Sequence, residues 1–216
     1  MTSQQNSCIS VLIADDHEIV RQGIEKVISK TADIKIIGQA ATGQEVIDLV
    51  KTLRPDVVLM DIEMPEKTGW DVMVELKALA PKLPILILSI FPEEHYGMRF
   101  IRAGASGYLN KGSAPAQMVE AIRKVHAGKK YVSPELAEKM IQEMGQHVEE
   151  QPHQRLSDRE FQIFCMIASG KKLKEIADEL SVGITTVSTH RHRILEKMEM
   201  KSNADLIHYA IKNKLI

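Results

Sequence analysis

Five short apolar runs alternate with five helical patterns over the first 130 residues, and this constrains the fold more than any other feature of the chain. The runs are 9–14, 34–40, 57–60, 85–89 and 107–110; the helical patterns fall at 18–30, 43–53, 70–80, 95–103 and 114–127. Strands that alternate with helices form a parallel sheet with helices on both faces. The runs show little polar alternation, as burial on both faces requires. Breakers stand between the elements: Gly38, Arg54-Pro55, Met64-Pro65, Pro81, Pro84, Phe91-Pro92 and Gly128. A doubly wound, five-stranded parallel α/β sheet is the expected architecture.

The ends of these runs carry the chemistry. Asp15 and Asp16 close the first, Asp61 the third, Ser89 the fourth, and Lys111 follows the fifth. In a parallel sheet all strand C-termini open on one edge, so these groups meet in one crevice. Two like charges ~4 Å apart cost roughly 4 kcal/mol at an effective dielectric near 20. Three carboxylates there need a proton, a cation or a metal. A divalent-ion site with one nucleophilic carboxylate is expected. Each residue also has a plainer role available. Asp15 could cap the helix after it, Asp61 could serve a turn before Pro65, and Tyr108 could be core packing. The acids and Lys111 together exceed what caps and turns require.

Composition narrows the remaining classes. The 216 residues suffice for two small domains, and 44% apolar residues can furnish a core in each. Aromatics at 4% argue against a roomy aromatic-lined pocket. Cys8 and Cys165 lack disulfide or zinc spacing. The polar start, Met1 to Asn6, is no signal peptide, and no apolar run reaches membrane-spanning length. A soluble, cytoplasmic protein without membrane contact is expected. Residues 1–155 carry 18 Lys and Arg against 21 Asp and Glu, whereas 156–216 carry 10 against 8. This mild asymmetry permits nucleic-acid binding by the C-terminal part.

A helix over 135–144 is followed by a polar stretch, 145–155, that reads as a flexible linker. Beyond it every pattern is helical. Ser157-Asp158-Arg159-Glu160 is a capping box, with Leu156 and Phe161 placed as a hydrophobic staple. The first helix ends near Ser169-Gly170. A second spans 173–180, Ser181-Val182-Gly183 makes a tight turn, and a third runs 185–198. Ser202 to Asp205 cap a fourth. Short helices joined by such a turn form a helix-turn-helix. Val187, Ile194, Leu195 and Met198 share the inward face of the third helix. Ser188, Thr189 and His192, with Arg193 to one side, face outward, suited to a major groove. Lys172, Lys174, Arg191 and Arg193 are phosphate-contact candidates. His190 reads as a packed, hydrogen-bonded flank residue, and a solvated basic face is the plainer account of the cations. Leu206, Ile207, Ala210 and Ile211 form an apolar stripe that can serve pairing of two chains.

These residues resemble a known family. Asp15-Asp16, Asp61 within Met60-Asp61-Ile62-Glu63-Met64-Pro65, Gly69, Ser89 and Tyr108-Leu109-Asn110-Lys111 are similar to the receiver domain of bacterial two-component response regulators. Leu156 to Glu160, Lys174-Glu175-Ile176-Ala177 and Thr186 to His190 resemble the LuxR-type helix-turn-helix. Together they resemble the NarL/FixJ subfamily, over nearly the whole chain. The resemblance implies a flavodoxin-like receiver over 8–130, a helix and flexible linker over 131–155, and a four-helix DNA-binding domain over 156–216. It implies that Asp61 accepts a phosphoryl group from a sensor histidine kinase. Asp15, Asp16, Asp61 and the Glu63 main-chain carbonyl would hold Mg²⁺. Ser89 and Lys111 would meet the phosphoryl oxygens, with Tyr108 as an aromatic switch. Lys172, Lys174, Thr185, Thr186, Ser188, Thr189, Arg191, His192 and Arg193 would meet DNA. The implied partners are the kinase, double-stranded DNA, a second copy of the chain after phosphorylation, and RNA polymerase. No turnover enzyme is implied. Three departures stand out: Glu63 adds a carboxylate, Phe91 adds bulk two residues after Ser89, and Gly112 replaces a common proline. Ser188 stands where lysine is common.

Two other classes and one variant of the leading class compete. Asp61-Ile62-Glu63 loosely resembles the Asp-x-Asp of aspartyl-nucleophile phosphatases, which turnover of phosphate esters by the N-terminal part would support. A regulator sensing a hydrophobic small molecule is the other, disfavoured by the low aromatic content and the regular βα units. A receiver that signals by protein contacts alone is disfavoured by the complete acidic set.

Overall fold

The computed structural model describes residues 8–145 and 151–216. The chain divides into two compact units between Ser133 and Pro134. The first unit holds β1 (Ile9–Ala14), α1 (Glu18–Ile28), β2 (Ile34–Ala40), α2 (Gly43–Leu53), β3 (Val57–Asp61), α3 (Gly69–Leu79), β4 (Ile85–Ser89), α4 (Glu93–Arg102), β5 (Gly107–Asn110) and α5 (Pro115–His126). All strand pairings are parallel, in the order β2-β1-β3-β4-β5. From β1 the chain moves out to β2 on one side, then crosses back past β1 to β3 on the other. A crevice therefore opens beyond the C-terminal ends of β1 and β3, where ligands bind in such sheets. Asp15 and Asp61 stand at that switch point.

Burial explains why these segments are strands. All five residues of β3 and all five of β4 are buried, so side chains on both sheet faces meet helices. On one face Val11, Ile13, Val57, Leu59, Leu86 and Leu88 join Ile24 and Ile28 of α1 and Met118, Ala121, Ile122 and Val125 of α5. The α5 set recurs at offsets 0, 3, 4 and 7, one helix face. The alternate strand residues, including Leu12, Val58, Met60, Ile85 and Ile87, are also buried, as are Val46, Ile47 and Val50 of α2 and Val72, Met73 and Leu76 of α3. The helix starts are fixed by side chains: Thr42 accepts from Glu45 N and Thr68 from Asp71 N.

One loop matters for the site. Between β3 and α3, Glu66 adopts the left-handed region (φ 67°), and Gly69 N donates to Ile62 O at 2.8 Å. A Cβ on Gly69 would lie 2.4 Å from the Asp61 carbonyl oxygen. Only glycine lets α3 start this close behind Asp61.

The second unit holds α6 (Pro134–Gly145), α7 (Asp158–Ala168), α8 (Leu173–Glu179), α9 (Ile184–Lys197) and α10 (Asn203–Lys212). Its core is Phe161, Phe164, Ile167, Ile176, Val187, Ile194, Leu206 and Ala210. The capping box is formed: Ser157 Oγ accepts from Glu160 N, and Glu160 returns to Ser157 N at 2.8 Å. Glu160 also pairs with Lys197 Nζ at 2.7 Å, tying α7 to α9. The sequence pattern makes 145–155 irregular. Residues 146–150 of that stretch lie outside the described residues, but Pro152–Arg155 form a 3-10 turn. His153 is buried there, its Nδ1 2.9 Å from Tyr209 Oη and its ring near Phe161. A hydrophilic reading of His153 hides this packing, because an imidazole pairs with a phenol as readily as with water. The turn docks on α7 and α10, so the helical unit starts before Leu156.

Candidate phosphoryl and nucleic-acid sites

Asp15 and Asp61 are only 1% and 5% exposed, and Ser89 1%. Lys111, delivered by the turn after β5, places Nζ 2.7 Å from Asp61 Oδ2 and 2.7 Å from Asp15 Oδ2. Its contact with Asp61 is a hydrogen bond. The same ammonium pairs with Asp15 Oδ2, so one cation bridges the two buried acids. The other Asp61 oxygen accepts from Ile62 N at 2.7 Å. Asp16 lies at the open side, its side chain 35% exposed.

The charges act on each other strongly. Burial pushes the Asp61 carboxyl up; Lys111 opposes this, Asp15 adds repulsion, and the result is a pKa of about 6. Burial pulls the Lys111 ammonium down, but its contacts with Asp15 and Asp61 outweigh that and hold it above the usual lysine range. Tyr108 is buried, which raises its phenol well above the ordinary value. Its hydroxyl donates to Phe91 O at 3.0 Å, and Phe91 N donates to Ser89 Oγ at 3.1 Å. Ser89 and Tyr108 are thus linked through the Phe91 backbone. Glu63 is exposed in the loop after β3, and among the described residues every peptide bond, Lys111–Gly112 included, is trans.

Asp15, Asp16, His17 and Asp61 offer ligand atoms within 4.8 Å of one another. Three clustered carboxylates with Lys111 to offset them are a hard-oxygen donor set that fits a divalent cation. Sequence reasoning passed over His17 and Arg21. Arg21 Nη1 donates to the Asp15 carbonyl at 2.6 Å, fixing the loop that carries both acids. Their only sequence signal is closeness to Asp15-Asp16.

In the second unit, α9 exposes Thr185, Thr186, Ser188, Thr189, His192 and Arg193, while Val187, Ile194, Leu195 and Met198 are buried. On that polar face the Thr189 hydroxyl donates back to Thr185 O at 2.9 Å. Lys172 and Lys174 are exposed at the start of α8. Arg191 is half-buried and its Nε donates to Asn203 Oδ1 at 2.6 Å; it serves the α9–α10 contact, which the linear pattern does not reveal. His190 is packed as expected, but its Nδ1 has no hydrogen-bond partner, and burial lowers its pKa. The apolar stripe of α10 splits: Leu206 and Ala210 are core, Ile207 is half-buried, and Ile211 is 62% exposed.

Comparison with known proteins assigns each unit to a family. Residues 11–123 match the model of the response regulator receiver domain, and residues 154–210 that of the LuxR family of bacterial regulatory proteins. The response regulator GacA of Pseudomonas aeruginosa is 35% identical over 209 residues, covering 96% of this chain and 98% of that one. The response regulator UvrY of Escherichia coli K12 is 35% identical over 208 residues, covering 96% and 95%. RcsB of Salmonella enterica serovar Typhimurium, solved bound to promoter rprA with the phosphomimetic BeF3-, superposes with a TM-score of 0.70 at 25% identity, over 93% of this chain and 98% of that one. No described helix is long and apolar enough to cross a membrane.

Proposed function

We propose, for a chain that belongs to the two-component response regulators with a LuxR-family DNA-binding domain, that Asp61 is the phosphoryl acceptor and that its phosphorylation controls promoter binding. The chain is a transcription regulator and no turnover enzyme. The carrying observation is Lys111 Nζ, 2.7 Å from both Asp15 and Asp61 at the switch point of the sheet. An Asp61 oxygen attacks the phosphorus of a kinase phosphohistidine. The P–N bond breaks, the imidazole leaves with its electron pair, and an acyl phosphate remains on Asp61. Phosphoryl transfer needs in-line placement and cations for the developing charge. Lys111 supplies one. Mg²⁺, held by Asp15, Asp16, Asp61 and the Glu63 carbonyl, would supply the other.

The signal then leaves the site through Ser89. Its hydroxyl oxygen accepts from Phe91 N; a phosphoryl oxygen on Asp61 would accept the hydroxyl's own proton and draw Ser89 toward the site. Movement of Ser89 releases the Phe91 backbone, which also holds Tyr108. The phenol and the loop after β4 thus change together, the packing event that a local charge change needs.

In this reading the receiver spans 8–130, a helix and linker about 131–151, and the DNA-binding domain 152–216, because the turn at 152–155 packs on that domain through His153. Ser188, Thr189 and His192 read bases. Thr185, Thr186, Lys172, Lys174, Arg191 and Arg193 contact the backbone, Arg191 only after release from Asn203. A phosphorylated pair of chains binds two half-sites and can touch RNA polymerase, in the cytoplasm beside its kinase. The test is incubation with Mg²⁺ and acetyl phosphate, followed by sizing. A shift from monomer toward dimer is expected with acetyl phosphate and none with Mg²⁺ alone; labelled protein that stays monomeric with unchanged DNA affinity would refute the control step.

A further inference from the structure

We infer that His17 is a direct ligand for first-row transition ions at the Asp15–Asp16 edge, giving this receiver a preference for ions such as Ni²⁺ over Mg²⁺. The inference rests on the proposed metal site. His17 occupies the N-cap of α1, where Ser, Thr, Asp or Asn is favoured, yet its side chain makes no capping hydrogen bond. By contrast Thr42 and Thr68 do cap α2 and α3. The imidazole turns instead to the acids: Nδ1 lies 2.7 Å from Asp16 Oδ1 and 3.4 Å from Asp15 Oδ1.

Two donors each about 2.1 Å from one ion and at right angles lie about 3 Å apart. The two observed separations bracket that value, so one ion can sit between these donors with little movement. The backbone holds the ring in place. His17 N donates to Asp15 Oδ1 at 2.9 Å, and Arg21 clamps the Asp15 carbonyl. The His17 side chain is 64% exposed, so Nδ1 can offer its lone pair while Nε2 carries the proton toward water. Asp61 belongs to the same cluster of ligand atoms within 4.8 Å and is a further oxygen donor in reach. Mg²⁺ favours oxygen and water, whereas Ni²⁺, Co²⁺ and Zn²⁺ favour imidazole nitrogen. His17 therefore adds affinity for one ion class and little for the other.

Calorimetric titration of the full chain with Mg²⁺ alone, with Ni²⁺ alone, and with Ni²⁺ against a Mg²⁺ background decides this. Ni²⁺ should compete with Mg²⁺. His17→Gln should keep Mg²⁺ affinity within about twofold and weaken the competing Ni²⁺ site at least about tenfold, since even an outer partner of a metal ligand costs about 10–100-fold. Parallel loss of both ions in His17→Gln would mean that His17 only orients Asp16, and would overturn the inference. Unchanged Ni²⁺ affinity would do the same. Failure of the wild type to bind Mg²⁺ would instead defeat the underlying metal-site reading, a result distinguishable from the other two.

Discussion

At the scale of single residues, the decisive arrangement is a buried carboxylate gripped on one oxygen by Lys111 and on the other by Ile62 N. Its pKa of about 6 in the metal-free protein sets a stability slope in Mg²⁺-free buffer. Between about pH 4 and 6 the folded state holds a proton that the unfolded state has lost, so stability falls as pH rises through that window. The raised value corresponds to about 3 kcal/mol. Asp61→Asn should therefore stabilise the receiver at pH 7.5, by about 1–3 kcal/mol, in urea unfolding followed by the one tryptophan, Trp70. Lys111→Ala leaves two buried carboxylates without their cation. It should destabilise the same transition by about 3–5 kcal/mol, and Mg²⁺ should restore part of the loss. That variant should still accept phosphate slowly while losing its phosphate-dependent DNA affinity. The acids and Lys111 were legible in sequence because their place depends only on strand ends. His17 and Asn203 were not: the direction of an N-cap ring and a contact between α9 and α10 arise from three-dimensional placement.

Single elements show the same division. Helix starts with Thr or Ser caps follow the sequence pattern closely, whereas α4 begins at Glu93, two residues before the apolar periodicity suggests. There Pro92 supplies the fixed φ and Glu93 and Glu94 favour the positive helix end, signals independent of hydrophobic spacing. On α9, outward and inward faces were legible from the 3.6-residue period, but the tie of Arg191 to Asn203 was not. The prediction for α9 is accordingly split. Arg193→Ala should weaken binding to all DNA sequences and reduce the salt dependence by about one phosphate contact. His192→Ala should change base preference at one position. Arg191→Ala should in addition lower the stability of the helical unit, since it removes the α9–α10 bond. Binding titrations at several salt concentrations on a site and its single-base variants check all three; identical salt slopes for wild type and Arg193→Ala would refute the backbone role.

For the whole molecule, the βα alternation specified a parallel sheet, but the order β2-β1-β3-β4-β5 rests on long-range pairing that local pattern does not encode. That order brings Asp15 beside Asp61, and hence makes the crevice. The second unit is small, and one short recognition helix buries too little surface for tight specific binding. Two copies double the contacts, and their half-site centres should lie about 10 base pairs apart or a multiple of it. Ile211, exposed on α10, remains available for such pairing after Leu206 and Ala210 enter the core; Ile211→Glu should leave phosphorylation intact and weaken DNA binding. Footprints of the phosphorylated protein that cover one half-site with monomer stoichiometry would defeat the paired model. The central claim, that Asp61 is where the phosphoryl group goes, is tested most directly by intact mass after incubation with Mg²⁺ and acetyl phosphate. The wild type should gain the mass of one phosphoryl group and Asp61→Asn should gain none; equal labelling of the Asn variant would contradict the account.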